Sequence, residues 1–305
     1  MFNSKAMLYL QEPIRAFGGY SIPYDKAKYV VLGVPLDETG TFRSGYRLAP
    51  YRVREVSEAL ETFSLRVNMD YEGSPVHDLG DIVVAPGDLE RTLYRVEEVL
   101  KSIVLDGKIP IIIGGEHTIT YPVIKVLKAF KPCVVVLDAH FDLRHEYLGS
   151  RMCHATVMRR VSEIIGLRNM FFVGVRAFCS EEANLVKQKG VEHLPAHVIL
   201  KHGISKTVNM ILKFLRNCNK IYLTVDMDVF DPSFAPAVGN PEPEGLTPTL
   251  VLDILSYIVN DKLVGLDINE ITPSYDVNDI TCLLYTSDAA DEGLGVDLGG
   301  RRIIK

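Results

Sequence analysis

Cys133-Val134-Val135-Val136-Leu137, followed by Asp138-Ala139-His140-Phe141-Asp142, is the stretch on which the fold turns. Its first five residues show no polar alternation, and such a run reads as a strand buried on both faces of a parallel sheet. Open α/β sheets collect ligands just beyond the carboxyl ends of their strands, where the acidic tract falls. Continued as extended chain, the tract puts Asp138, His140 and Asp142 on one side with period two. The pattern repeats elsewhere in the chain. Residues 220–225 run into Asp226-Met227-Asp228 and then Asp231-Pro232, and residues 109–113 end in Gly114-Gly115-Glu116-His117.

Residues 29–34, 76–79, 170–175 and 263–268 read as further strands. Between them, helical patterns cover 51–61, 88–105 with Asp88 as cap, 118–129, 153–165, 181–189, 197–217 with a break near Gly203, and 247–259 with Thr247 as cap. Strands alternating with helices predict a three-layer α/β/α domain around a central, mostly parallel sheet. Residues 1–27, with Pro13, Gly18-Gly19 and Pro23, read as an irregular leader over the surface. No composition break divides the rest, so 1–281 is expected to form one domain.

At 47% hydrophobic and 24% charged, the 305 residues have the balance of a soluble globular protein. A net charge of −6 offers no basic patch for nucleic acid. No apolar stretch is long enough for a bilayer, and no signal pattern opens the chain. These features predict a cytoplasmic protein with neither nucleic acid nor membrane as partner. Five cysteines without paired spacing predict reduced thiols. Residues 282–305 stand apart: back-translated, they resemble the transposon-end adapter of short-read sequencing libraries, and such scars are excluded from fold reasoning. The genuine C-terminal helix is then expected to be missing.

His117, Asp138, His140, Asp142, Asp226 and Asp228 are the candidate metal ligands. Their four carboxylates balance two divalent ions, and hard oxygen donors mixed with imidazole favour manganese. Two such ions about 3.5–4 Å apart lower the pKa of a water held between them. Packing alone does not explain acids after three apolar strands, because buried unpaired carboxylates are costly.

Gly114-Gly115-Glu116-His117-Thr118, Asp138-Ala139-His140-Phe141-Asp142 and Asp226-Met227-Asp228-Val229-Phe230-Asp231-Pro232 resemble the three signature motifs of the ureohydrolase (arginase/agmatinase) family. The segments 153–160 and 265–273 are also similar to family segments, and the likeness runs from about 30 to 276. The resemblance implies an arginase-like fold with two Mn2+ per subunit. One ion would be held by His117, Asp138, Asp142 and Asp226, the other by His140, Asp138, Asp226 and Asp228. A bridging hydroxide would attack the guanidinium carbon, with Asp142 passing its proton to the departing amine. His154 would shuttle protons or touch the substrate at the pocket mouth, and Glu270 would pair with the guanidinium.

The loop 143–152 lacks the Asn-rich pattern of arginase-like members and resembles the archaeal-type agmatinase branch. That implies agmatine and water giving putrescine and urea, with Glu146 as partner of the cationic tail. Arg144 and Arg151 point the other way, to a carboxylate tail as in guanidinobutyrate. Arginase, guanidinobutyrase, another amidinohydrolase and a non-catalytic metal-binding relative are the alternatives. The resemblance further implies a homo-oligomer, trimer or hexamer. A deacetylase-like enzyme would need tandem histidines, of which Glu116-His117 supplies one, and no Gly-x-Gly-x-x-Gly follows the first strand.

Overall fold

Apolar runs bounded by turn residues become the interior strands of one nine-stranded sheet in the computed structural model, which describes residues 2–293. In chain order the strands are Leu10–Gln11 (β1), Tyr29–Val34 (β2), Phe63–Ser64 (β3), Met69–Asp70 (β4), Val76–Ile82 (β5), Ile109–Gly114 (β6), Cys133–Leu137 (β7), Met170–Val173 (β8), Glu192–Leu194 (β9), Ile221–Asp226 (β10) and Leu263–Asn269 (β11). β3 and β4 pair only with each other. The large sheet has the order β1-β5-β2-β6-β11-β10-β7-β8-β9, with β1 alone antiparallel to its neighbour. The three motif-bearing strands β6, β10 and β7 therefore lie at its centre, with β11 between β6 and β10. Their carboxyl ends share one edge of the sheet.

The helices are Ser4–Met7 (α1), Ala49–Ser57 (α2), Leu89–Leu105 (α3), Thr120–Leu127 (α4), Val157–Ile165 (α5), Ser180–Lys189 (α6), Ala196–Leu215 (α7), Pro248–Ile258 (α8) and Ile280–Gly293 (α9). α2, α7, α8 and α9 bury their apolar stripes on one face of the sheet, and α3, α4 and α5 on the other. This is the expected three-layer arrangement. Asp88 accepts the Arg91 N–H and Thr247 accepts the Leu250 N–H, so both predicted caps form. Gly203, at φ 72°, breaks α7 where the sequence placed an interruption. Among the described residues no helix is long and apolar enough to cross a membrane.

Three expectations are corrected. The first 27 residues are not wholly irregular, since α1 and β1 form there and β1 covers the sheet edge at β5. The tract after β7 does not continue as extended strand, because Asp142 turns into the left-handed region at φ 51°. Two of the five cysteines are not reduced: Cys133, which opens β7, is disulfide-bonded to Cys218 beyond α7, across a sequence separation of 85. Only the tertiary docking of α7 brings them together, so spacing carried no sign of the bond. The argument for a reducing compartment loses its footing with it.

Of the segment resembling adapter sequence, residues 282–293 continue α9, and Cys282 and Tyr285 are buried against the core. The remainder, 294–305, lies outside the described residues. Its foreign origin is a proposal on the nucleotide-level match alone.

Away from the strand ends, the most consequential buried charge is Arg54 of α2. Its Nε and Nη2 donate to the two oxygens of Asp78 at 2.8 and 2.9 Å, and Nη1 donates to Asp81 at 2.6 Å. Asp78 also accepts the Phe17 N–H, so one ion pair ties α2, β5 and the N-terminal segment together. Removing one partner of such a pair strands the other in low dielectric. Arg54→Met is expected to lose about 3–5 kcal/mol of stability, measured by urea unfolding; a loss under ~1 kcal/mol would contradict this account of the pair.

Candidate active site

The carboxyl ends of β6, β7 and β10 deliver the six residues picked out in the sequence to one place. His117 Nδ1 lies 3.3 Å from Asp138, 3.2 Å from Asp142 and 3.4 Å from Asp226. His140 Nδ1 lies 2.9 Å from Asp228 and 3.5 Å from Asp138. The donor atoms of His117, Asp138 and Asp226 fall within 4.8 Å of one another, as do those of Asp138, His140 and Asp228. Asp138 belongs to both groups, so the cluster has two lobes sharing one acid.

Close approach here requires glycine. A Cβ on Gly114 would sit 1.9 Å from the Asn269 side chain, and one on Gly115 would sit 2.1 Å from the Leu36 carbonyl oxygen. Neither glycine has positive φ, so their role is room rather than turning. The strained positions are Asp142 and Glu270, non-glycine residues at φ 51° and 70°. Asp142 is held by its neighbours: Leu143 N–H donates to Glu182, and Arg159 N–H donates to the Asp142 carbonyl. Glu270 accepts the His117 N–H at 2.7 Å through Oε1.

The electrostatics show whether cations fit. Burial pushes Asp226 well above the ordinary carboxylate range, and burial together with Asp138 pushes Asp142 up to about 7. Burial likewise takes Glu270 to about 8. Packed this way, the acids resist ionising together without positive charge between them. His117 Nδ1 and Asp138 Oδ2 are buried without a hydrogen-bond partner, although buried polar atoms are rarely left so. Orphaned lone pairs facing one another, from imidazole and carboxylate, are what a pair of divalent ions would satisfy. The donor set fits.

Beyond the cluster opens a cavity of about 350 Å³, lined in part by His140, Asp142, Arg144, Tyr147, His154 and Glu242. His154 forms one wall. Thr39 Oγ donates to Glu116, so its oxygen accepts from the His154 backbone N–H at 3.1 Å and faces His154 Nδ1 at 3.3 Å. Thr41 Oγ lies 3.4 Å from His154 Nε2. Burial, with the neighbouring imidazole of His140, pulls His154 down to about 4, so it is neutral at physiological pH.

The loop 143–152 meets the cavity only in part. Glu146 is exposed and does not line the cavity, whereas Arg144 and Tyr147 of the same loop do. Arg151 is exposed as well. Arg144 is engaged elsewhere, stacking over Tyr147 at 4.9 Å and lying 3.8 Å from Glu182. The acid at the mouth is Glu242, 3.7 Å from His140 Nε2. Its loop is fastened by Arg176, whose guanidinium donates to the carbonyls of Asp228 at 2.7 Å and Glu242 at 2.8 Å. Asp231 closes the loop base by accepting from Ser233 and Gly245. Sequence reasoning missed Thr39, Thr41, Arg176 and Glu242, all on long connections where periodicity gives no signal. The Thr39-Gly40-Thr41 tract before the first long helix was the nearest hint.

The sequence matches the profile of the Arginase family over residues 27–291. An agmatinase from Bacillus anthracis is 33% identical over 262 residues, 85% of this chain and 88% of that protein. An N(1)-aminopropylagmatine ureohydrolase from Thermococcus kodakarensis is 34% identical over 250 residues, 81% of this chain and 83% of that one. Among solved structures, the agmatine ureohydrolase of Thermoplasma volcanium superposes with a TM-score of 0.83 at 35% identity, covering 90% of this chain and 91% of its own. A fold, a paired acidic cluster and a matched profile agree: the chain belongs to the arginase family, as an agmatinase-like ureohydrolase.

Proposed function

We propose that the chain hydrolyses an alkylguanidine with a cationic tail, agmatine first among them, using two manganese ions. The supporting observation is the two-lobed His/Asp cluster with Glu270 on its inner side and Glu242 at its mouth. His117, Asp138, Asp142 and Asp226 would hold one ion, and His140, Asp138, Asp226 and Asp228 the other. When bound, the ions supply Lewis acidity and a water acidic enough to act as nucleophile at neutral pH.

The remaining work falls to side chains. The carboxylate of Glu270 orients the guanidinium, with its carbon toward the cluster. Water adds to that carbon, and the bond to the alkyl nitrogen breaks. Asp142 borders both the cluster and the cavity, and carries the two protons of the attacking water, one after the other, to the departing nitrogen. Urea and a protonated primary amine leave, so charge and atoms balance. Neutral His154, with Nδ1–H turned to Thr39, presents the Nε2 lone pair beside Thr41 and relays protons at the mouth.

Tail preference rests on the charges at the mouth. Arg144 stacks on Tyr147 and lies 3.8 Å from Glu182, while among the described residues the nearest cationic group to the Glu242 carboxylate is the His140 ring, at 3.7 Å. A cationic tail therefore gains a partner where a carboxylate tail would meet repulsion. A second reading keeps the chemistry and lengthens the tail, as in relatives named N(1)-aminopropylagmatine ureohydrolase.

Urea release by manganese-loaded protein tests these readings on agmatine, N1-aminopropylagmatine, arginine and guanidinobutyrate. Agmatine is expected to be the best substrate, and Asp142→Asn to lower kcat by ~100-fold or more. No urea from any of the four, in folded protein carrying two ions, would overturn the assignment. Glu242→Gln is expected to raise KM for agmatine by ~10-fold or more with little change in kcat, because it removes a charge-assisted contact in the ground and transition states alike. An unchanged KM would remove Glu242 from the tail site.

A further inference from the structure

One side chain joins the cluster to the acid at the cavity mouth, and all its hydrogen bonds go to backbone carbonyls. Arg176 lies just beyond β8, after Gly174, whose φ of 96° turns the chain out of the strand. The backbone N–H groups of Arg176 and Ala177 both donate to the Ala139 carbonyl, at 2.8 and 3.0 Å. Ala139 stands between Asp138 and His140. The backbone of Arg176 is therefore fixed to the segment that presents two of the proposed ligands.

Its guanidinium spans the loop that follows β10. At the start of that loop Nη2 donates to the carbonyls of Asp228 at 2.7 Å and Phe230 at 3.3 Å, and Nη1 to that of Val229 at 3.3 Å. At the far end Nη2 donates to the carbonyl of Glu242 at 2.8 Å and Nε to that of Pro243 at 2.9 Å. Other ties stop on either side of this end. Gly239 N–H donates to the Glu270 carbonyl at 3.2 Å, and Gly245 N–H donates to Asp231 at 3.0 Å. Between them, among the described residues, 240–243 form no backbone-to-backbone hydrogen bond. The 3.7 Å between Glu242 and His140 Nε2 is thus set through one residue, fixed by its backbone on the His140 side and by its side chain on the Glu242 side.

We propose that Arg176 is a positioning residue for tail recognition, setting the width of the cavity mouth and so the place where Glu242 meets a cationic tail. The assignment rests on the tail reading above and adds the device that makes the contact pre-formed. Bridging two ends of a loop takes donors that leave one rigid, planar group in several directions, which a guanidinium supplies. Lysine keeps the charge, but its three N–H groups sit on one atom and cannot serve carbonyls at both ends. With the fork lost, each binding event has to order Glu242 afresh, and that cost falls on ground and transition states alike.

The test is urea release from agmatine by manganese-loaded wild type, Arg176→Lys, Glu242→Gln and the double variant, each shown to be folded by thermal melting. Arg176→Lys is expected to raise KM by ~5–10-fold while kcat stays within ~3-fold. In the Glu242→Gln background the same change should move KM by less than ~2-fold, because the charge through which Arg176 acts is no longer there. Wild-type KM in Arg176→Lys, or the full rise repeated on top of Glu242→Gln, would overturn the proposal and leave the tail reading standing. No urea from the wild type, or an unchanged KM in Glu242→Gln, would remove the tail reading and this proposal together. If the lysine variant fails to fold, Arg176→Gln, planar but neutral, takes its place with the same expected split between KM and kcat. Failure of both variants to fold would assign Arg176 to the scaffold and overturn the proposal.

Discussion

Mutual repulsion among buried carboxylates is the constraint around which the rest is arranged. Donor atoms of Asp138 and Asp226 lie within 4.8 Å of each other, and two full negative charges at that spacing repel by about 3–4 kcal/mol at an effective dielectric of 20. Burial adds a desolvation cost to each acid. Positive charge among the acids, from the neighbouring imidazoles of His117 and His140 or from bound cations, offsets that cost. The parallel order β6-β11-β10-β7 gathers the acids, and two glycines without side chains let the strand ends close on one another.

The same electrostatics sort the other buried charges. Asp78 faces no ion but a built-in guanidinium, Arg54, and its pair fastens α2 to the sheet. Asp267 faces neither and is satisfied by four hydrogen-bond donors. Three buried acids thus have three kinds of neighbour: imidazoles, a guanidinium and neutral dipoles. Only the first kind leaves lone pairs orphaned, and that difference separates a binding site from scaffolding.

Much of this was legible in the sequence, and the limits have a physical origin. β7 and β10 announce themselves as β-branched runs, and the acids after them fall at fixed offsets from strand ends, so six cluster residues were readable without coordinates. The caps at Asp88 and Thr247 were readable for the same reason, since their partners are three residues away. What escaped was long-range. Cys133 meets Cys218 only after α7 docks, Glu242 reaches His140 only because Arg176 clamps its loop, and β9 is too short to stand out as a run. Asp267 was visible as an acid inside an apolar strand, but its four donors come from β10, β11 and the start of α4.

The loops take over where periodicity ends, and they carry the discrimination. Glu116 is adjacent to a proposed ligand, yet its carboxylate faces away from the cluster and accepts from Glu38, Thr39 and Thr118. That fixes the loop after β2, which in turn fixes His154 through Thr39. Glu182 does the same for the opposite wall by accepting from Leu143 and Cys179. Backbone strain at Asp142 and Glu270 persists because these acids hold the segments around it. Each anchor is buried, and through it the loops set the wall of the cavity while the strand ends set the cluster. The labour is thus divided, with the acids on the rigid strand ends and the cavity wall on loops pinned by buried carboxylates.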